Sequence, residues 1–403
     1  LDSAHPSQLG GDQLGSTALT RSSRRALVAL GVAIAGGAML AAPFARPAVS
    51  AKRRLRQGSG RIQRRPHRDR SRRARARRRT ERRPVRRTGD TVVVVPDAQG
   101  TAGAPQTFAT FDDRPVAGVY LSGDALYAGG QFGVYRVPYR TGDRTAREKP
   151  QKIASVRTGG GGGHSTTTVV LVKGTLYASV GSSCNACDER DPTRATVQVM
   201  APDGSNMHAR AADIRNAIAL AVQPETGGVW AGVAGRDDLA HGHPYEIFDD
   251  VTAHPGTPDY GWLICYDDRK PIGAASCANV VVPRAVFPAY DTPIGAAFYP
   301  RDAHGPYAFP ATYRGGAFVS LHGSWHQPPV PPRVAFLPFN GPDPAKPIDW
   351  SNPEAQWTEF LGGCQSADGS RACRPTGVAV GTDGSLFVSE DEGGAIYRIR
   401  PQH

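Results

Sequence analysis

Five times between residues 117 and 390 the chain spells one short unit, an apolar run, a turn and a second apolar run. Val119-Tyr120-Leu121 is followed by the turn Gly123-Asp124 and by Leu126-Tyr127-Ala128. The pattern returns at 169–178 around Lys173-Gly174, at 219–231 around Thr226-Gly227-Gly228, and at 377–388 around Asp383-Gly384. At 295–319 the same two runs are separated by a longer connection. Each unit has the residue pattern and turn chemistry of a β-hairpin. A third strand follows at Gly133-Val134-Tyr135-Arg136 and at Ala395-Ile396-Tyr397-Arg398. The hairpin aromatics stand at 127, 177, 230, 318 and 387, in steps of 50, 53, 88 and 69. A spacing near 50 is that of propeller blades, and the 315 residues from 89 to 403 hold about six of them. Radial repetition hides sheet edges, so a chain this rich in strands need not aggregate. A β-sandwich would show no such period. The expectation is an all-β, six-bladed β-propeller over residues 91–403, closed by a strand at Thr91–Val95 joining the last blade. The 47 Gly and 34 Pro suit many turns, and no segment reads as a long amphipathic helix.

The first ninety residues read as addressing. Arg24-Arg25 opens an apolar run from Ala26 to Ala42, and Val49-Ser50-Ala51 resembles a cleavage site. Residues 1–51 are expected to be an export signal of the twin-arginine type or a membrane anchor. Residues 52–90 are expected to be a disordered basic linker, because 52–88 hold 19 basic and 2 acidic side chains. Residues 1–51 add four and two, so the remaining 315 residues carry −7 against the chain's +12. The basic pI is therefore local and gives the folded part no nucleic-acid role. The linker has no aromatic for base stacking. Membrane contact is expected only if the N-terminal segment stays uncleaved.

Six cysteines fall in three close pairs, Cys184/Cys187, Cys265/Cys277 and Cys364/Cys373. Three short-range disulfides are the simplest pairing and fit an extracytoplasmic, periplasmic or secreted setting. Zinc at Cys184/Cys187 lacks a second C-x-x-C.

Propellers place function in loops at one end of the channel. There the chain has five glycines, 159–163, before His164, a candidate base near a strand start. Arg215-Asn216 precedes another strand, with Arg215 offering a planar fork to carboxylate or quinone oxygens. His241-Gly242-His243-Pro244 with Asp237 and Asp238 suits a hard cation better than zinc. His322-Gly323-Ser324-Trp325 follows a strand, and Arg371 and Arg374 precede the last hairpin. No G-x-S-x-G elbow surrounds Ser324, which speaks against a serine hydrolase.

These stretches resemble the sorbosone and aldose sugar dehydrogenase family, exported six-bladed propellers that use pyrroloquinoline quinone (PQQ) and calcium. The resemblance runs from about Ala117 to Arg400. It is carried by Ser179-Val180-Gly181-Ser182-Ser183-Cys184-Asn185, Ile214-Arg215-Asn216, Asp259-Tyr260-Gly261-Trp262, Ser320-Leu321-His322-Gly323-Ser324-Trp325 and Arg374-Pro375-Thr376-Gly377. It implies oxidation of a sugar CH–OH group with His164 as general base, active once the imidazole is neutral, near pH 6–8. It implies PQQ contacts from Arg215, Asn216, His322 and Arg374, and calcium at the carbonyls of Gly242 and Pro244. Departures from the family's usual pattern are Ala217, Ala234-Gly235, Leu263 and His326-Gln327. The rival readings are a non-catalytic propeller that binds sugar or protein, and a calcium-dependent lactonase-type propeller. The sugar and the electron acceptor are not specified by these residues.

Overall fold

The computed structural model describes residues 30–31, 38–41, 89–324, 326 and 329–401. The described residues are almost wholly strand and turn, with two short 3-10 helices at Ala311–Tyr313 and Pro353–Gln356. All five hairpins expected from the sequence are formed, each antiparallel. At Lys173-Gly174 both turn residues have positive φ, 49° and 77°, the mirror-image turn whose twist matches that of the strands it joins.

Of the five sheets that begin with these hairpins, four have four strands in simple up-and-down order. They start at the hairpins of Gly118–Leu121, Val169–Val172, Ala217–Val222 and Pro293–Phe298. The sheet beginning at Pro375–Val380 has three strands among the described residues. The sheets are arranged as in a propeller, because the first strand of each packs beside the first strand of the next. Between neighbouring sheets the apolar faces meet. Trp230, Phe248, Phe298, Phe339 and Val319 form one such cluster, with the Trp230 and Phe339 rings edge to face at 4.9 Å. Burial of large aromatics supplies most of the drive for this packing.

One expectation is corrected. Thr91–Pro96 does not join the last sheet; it pairs with Gln106–Thr110 and with Ala38–Ala41. Ala38–Ala41 pairs in turn with Leu30–Gly31. Strand pairing between segments fifty residues apart is non-local, and hairpin chemistry does not specify it. Two pieces of the apolar run at 26–42 thus have sheet backbone. The rest of the expected leader, the Arg24-Arg25 pair and the basic stretch 52–88 lie outside the described residues. Among the described residues no helix is long and apolar enough to cross a membrane.

The three disulfides form as paired from the sequence, Cys184–Cys187, Cys265–Cys277 and Cys364–Cys373. The sulfurs of Cys184 and Cys187 are bonded to each other, which removes them as zinc ligands.

Candidate functional site

In an antiparallel hairpin the start of the first strand and the end of the second lie at the same end. The innermost hairpins of four sheets therefore bring together His164 with Ser182, Arg215-Asn216 with Ala234-Gly235, Thr292 with His322, and Arg374 with Asp391. Three of these hairpins shift register at this end, at Ala217/Ala219, Pro293/Gly295 and Pro375/Val378. Such bulges turn side chains out of the regular alternation. The result is a cavity of about 300 Å³ bordered by His164, Arg215, Asn216, His322 and Arg374, together with Asp237, Glu246, Tyr290, His326 and Arg371. A volume of this size is at the lower end for a small organic ligand.

His164 is held by its inner nitrogen. Nδ1 lies 3.1 Å from the carbonyl oxygen of Ser182 and 3.0 Å from its Oγ. A carbonyl can only accept, and the Ser182 hydroxyl itself donates to the Cys184 carbonyl at 2.7 Å. Nδ1 therefore carries the hydrogen and Nε2 keeps its lone pair, the tautomer a base needs. Burial, then the Arg215 charge, push the imidazole down to about 4 against the Ser182 hydrogen bond. The neutral form is accordingly available well below the pH 6–8 expected from the sequence.

Gly181 lets this happen. A Cβ there would lie 2.4 Å from Oδ1 of Asn216 and 2.6 Å from Cβ of His164, so only glycine permits these two side chains to close over the strand end.

Arg215 is buried and makes four hydrogen bonds to the protein. Nε donates to the Asn185 carbonyl at 3.0 Å, Nη2 to Asn185 Oδ1 at 2.8 Å and to Asp237 Oδ2 at 3.0 Å, and Nη1 to the Ala234 carbonyl at 3.2 Å. Asn185 sits inside the Cys184–Cys187 loop and also takes the Trp262 indole N–H at 2.9 Å. The stretches Ser183–Asn185 and Gly261-Trp262, far apart in sequence, thus meet behind one guanidinium.

Across the cavity Arg374 and His322 share Asp391, with Nε2 of His322 at 3.2 Å. Burial would raise that carboxyl, but hydrogen bonds from His322 and Arg374 outweigh it and hold it near about 2. Burial lowers His322, so His322 donates Nε2–H as a neutral ring. Arg371 donates to the Ser324 carbonyl at 2.7 Å. Tyr290 stacks on His326 with ring centres 3.7 Å apart.

Gly242 and Pro244 do not border this cavity. Pro244 packs behind Gly235, where a Cβ on the glycine would meet its Cγ at 2.6 Å, and it lines a neighbouring apolar cavity with Tyr245 and Trp262. The carboxyl groups bordering the central cavity are those of Asp237 and Glu246. Burial pushes the Glu246 carboxyl up to about 8, although the N–H groups of Gly235 and Tyr290 donate to it at 2.7 and 2.9 Å. Ser182 and Asn185 lie in a stretch that carries the resemblance but were given no role from sequence, and neither were Glu246 and Asp391. The hairpin rule was available for Asp391, which follows the second strand of the last hairpin.

Residues 253–402 match the model of a family described as TrAA12-like. An uncharacterized protein of Borreliella burgdorferi is 24% identical over 194 residues, covering 46% of this chain and 47% of that protein. The chain thus spans less than half the length of that curated relative. Among solved structures, the Carbohydrate-Active Enzymes Family AA12 protein of Trichoderma reesei, in its iodide structure, matches with TM-score 0.63 at 21% identity, over 78% of this chain and 89% of that chain. The holo form of the pyranose dehydrogenase PQQ domain from Coprinopsis cinerea matches with TM-score 0.65 at 19% identity, over 78% and 88%. The PQQ-bound aldose sugar dehydrogenase of Streptomyces coelicolor matches with TM-score 0.51 at 15% identity, over 76% and 83%. At these identities the likeness is one of fold.

Proposed function

We propose that this chain is a PQQ-dependent sugar dehydrogenase, a six-bladed propeller oxidising an aldose or sorbosone-like sugar at a CH–OH group. One observation carries the reading. An imidazole with its Nε2 lone pair free borders the same cavity as the guanidinium groups of Arg215, Arg371 and Arg374. Similarity to structures named for PQQ and for sugar oxidation supports it. Six blades follow if Leu30–Gly31, which packs beside both Gly118–Leu121 and Pro375–Val380, is the innermost strand of a further blade. Three disulfides support an extracytoplasmic setting.

The donor set fits the cofactor. PQQ is a flat ortho-quinone with three carboxylates, and the three arginines Arg215, Arg371 and Arg374 offer the cations such a ligand needs. Calcium, as a hard cation, would take the Asp237 and Glu246 carboxyls, and it would ionise Glu246, which burial now keeps protonated. It would act as a Lewis acid on quinone oxygens. Bound PQQ supplies the two-electron acceptor for the hydride of the hydroxyl-bearing carbon. His164 Nε2 takes the hydroxyl proton, while the Ser182 carbonyl holds Nδ1–H and steadies the imidazolium that forms. Arg215, anchored on Asn185, orients the acceptor, and the stacked Tyr290 and His326 rings form a flat wall against which a sugar face can lie.

The test is to add PQQ and calcium to the full chain and follow reduction of a redox dye with aldoses or sorbosone. A saturable, calcium-dependent rate is expected. His164→Gln should bind PQQ, read by absorbance titration, and lose about 10²–10⁴ in turnover. Full turnover in that variant removes the assignment of the base. Sugar binding without dye reduction makes the chain a binding propeller, and lactone opening without PQQ makes it a lactonase.

A further inference from the structure

Behind His164 lies a buried guanidinium that the proposed chemistry does not use. Arg157 is 0% exposed, and no carboxylate pairs with it directly among the described residues. Its donors go instead to three main-chain oxygens and one threonine hydroxyl at the strand entrance. Nε bonds the carbonyl of His164 itself at 3.0 Å, Nη1 the carbonyl of Gln131 at 2.8 Å and the Thr167 hydroxyl at 2.6 Å, and Nη2 the carbonyl of Thr166 at 2.5 Å. A second buried arginine, Arg194, bonds the carbonyls of Gly160 at 2.8 Å and Gly181 at 3.3 Å.

These bonds matter because the loop has little stiffness of its own. Gly160, Gly162 and Gly163 all have positive φ, at 108°, 107° and 58°, and such a glycine run has many conformations to choose from. Burying a charge without a direct counter-ion is unfavourable unless hydrogen bonds replace its hydration. An apolar side chain would fill the space more cheaply. The expense is intelligible if the charge and its donors act on the neighbouring imidazole.

We propose that Arg157 is a positioning residue for His164. By bonding Gln131, His164 and Thr166 together it fixes the imidazole at the cavity, and as a buried cation bonded to the main chain of the same residue it opposes protonation of that ring. The proposal rests on His164 being the general base. The other charges around it are accounted for. Arg215 and Arg194 also disfavour the imidazolium. Asp191 is occupied by the N–H groups of Gly159 and Thr193, Asp113 by the Phe132 N–H and the Tyr135 hydroxyl, and Asp237 by Arg215. None of these carboxylates bonds the imidazole.

The experiment compares wild type, Arg157→Gln and Arg157→Lys in the full chain. The His164 imidazole is titrated by NMR without cofactor, its signal assigned by loss in His164→Gln. Arg157→Gln is expected to raise the midpoint, though burial and Arg215 lower the ring more than Arg157 does. Arg157→Lys keeps the charge but cannot reproduce the fork, so its midpoint should stay near wild type while kcat with PQQ and sugar falls about tenfold or more. A folded Gln variant, judged by near-ultraviolet circular dichroism, whose midpoint does not move overturns the electrostatic part. Unchanged kcat in the Lys variant overturns the positioning part, and decides the matter if the Gln variant does not fold. Should wild type oxidise no sugar at all, the dehydrogenase reading fails, while the titration still tests the effect of Arg157 on the ring.

Discussion

Arg374 lays its guanidinium flat against Asp391, Nε on Oδ1 at 2.6 Å and Nη2 on Oδ2 at 2.7 Å. The Asp391 side chain is only 2% exposed and that of Arg374 17%. One of the cavity's cations is thus held in place by an anion on the facing strand end. The arrangement leaves Arg374 pointing in a defined direction before any ligand arrives.

Removing that anion should cost more than the pair contributes, because the cation stays behind. Asp391→Asn is expected to lose about 3 kcal/mol of stability in urea denaturation. A ligand with three carboxylates can restore the missing negative charge. Added PQQ should therefore raise the melting temperature of this variant more than that of wild type. Equal shifts in both proteins would mean that Arg374 does not meet the ligand.

The imidazole at 164 fixes the acid limb of activity. The working form is neutral, and the folded protein holds the ring down to about 4. The rate constant kcat/KM should rise as pH passes through about 4 and stay flat from about 5 to 7, with no inflection from the imidazole near 6–8. The stability consequence has the same origin. The unfolded chain takes up this proton below about 6.5, and the folded one only near 4. The contribution is complete above 6.5 and is lost as pH falls from there towards 4. His164→Gln should flatten that part of the stability curve, measured by urea midpoints from pH 4 to 7.

Much of this was legible in the chain, and the reasons differ by residue. The hairpins were readable because turn chemistry and apolar runs are local properties; the buried Trp230, Tyr127 and Phe387 all stand where the pattern put them. His164, Arg215, Asn216, His322 and Arg374 border one cavity because each flanks an inner hairpin at the same end. The pairing of Thr91–Pro96 with Ala38–Ala41 was not readable, since pairing at long range leaves no local mark. Gly242 and Pro244 were assigned from the family resemblance; they lie in the connection between two strands and do not border the cavity, which the strand ends at Ala234-Gly235 and Glu246 reach. The buried Arg157 carried no signal at all, because an arginine after a strand is usually on the surface.

Gly181→Ala tests the closest approach in the site. The added methyl would have to displace His164 or Asn216. A misplacement of about 1 Å costs on the order of 10²-fold in rate. Turnover should fall by about that factor, with circular dichroism unchanged. Near-normal kcat would show that the strand end can shift without moving the base.

Asn185 is the last element, and its side chain and main chain can be separated. Asn185→Ala removes the Oδ1 that accepts from Arg215 Nη2 and from the Asp237 N–H. It leaves the carbonyl that holds Arg215 Nε and Trp262. A hydrogen bond to a charged group contributes about 1.5–3 kcal/mol. If Arg215 orients the acceptor, the Kd for PQQ should rise about ten- to a hundredfold, measured by fluorescence quenching. Reduction of Cys184–Cys187 loosens the loop that carries both groups, so the reduced wild type should lose at least as much affinity as the variant. A variant that binds PQQ normally while the reduced protein does not would assign the anchoring of Arg215 to the loop backbone alone.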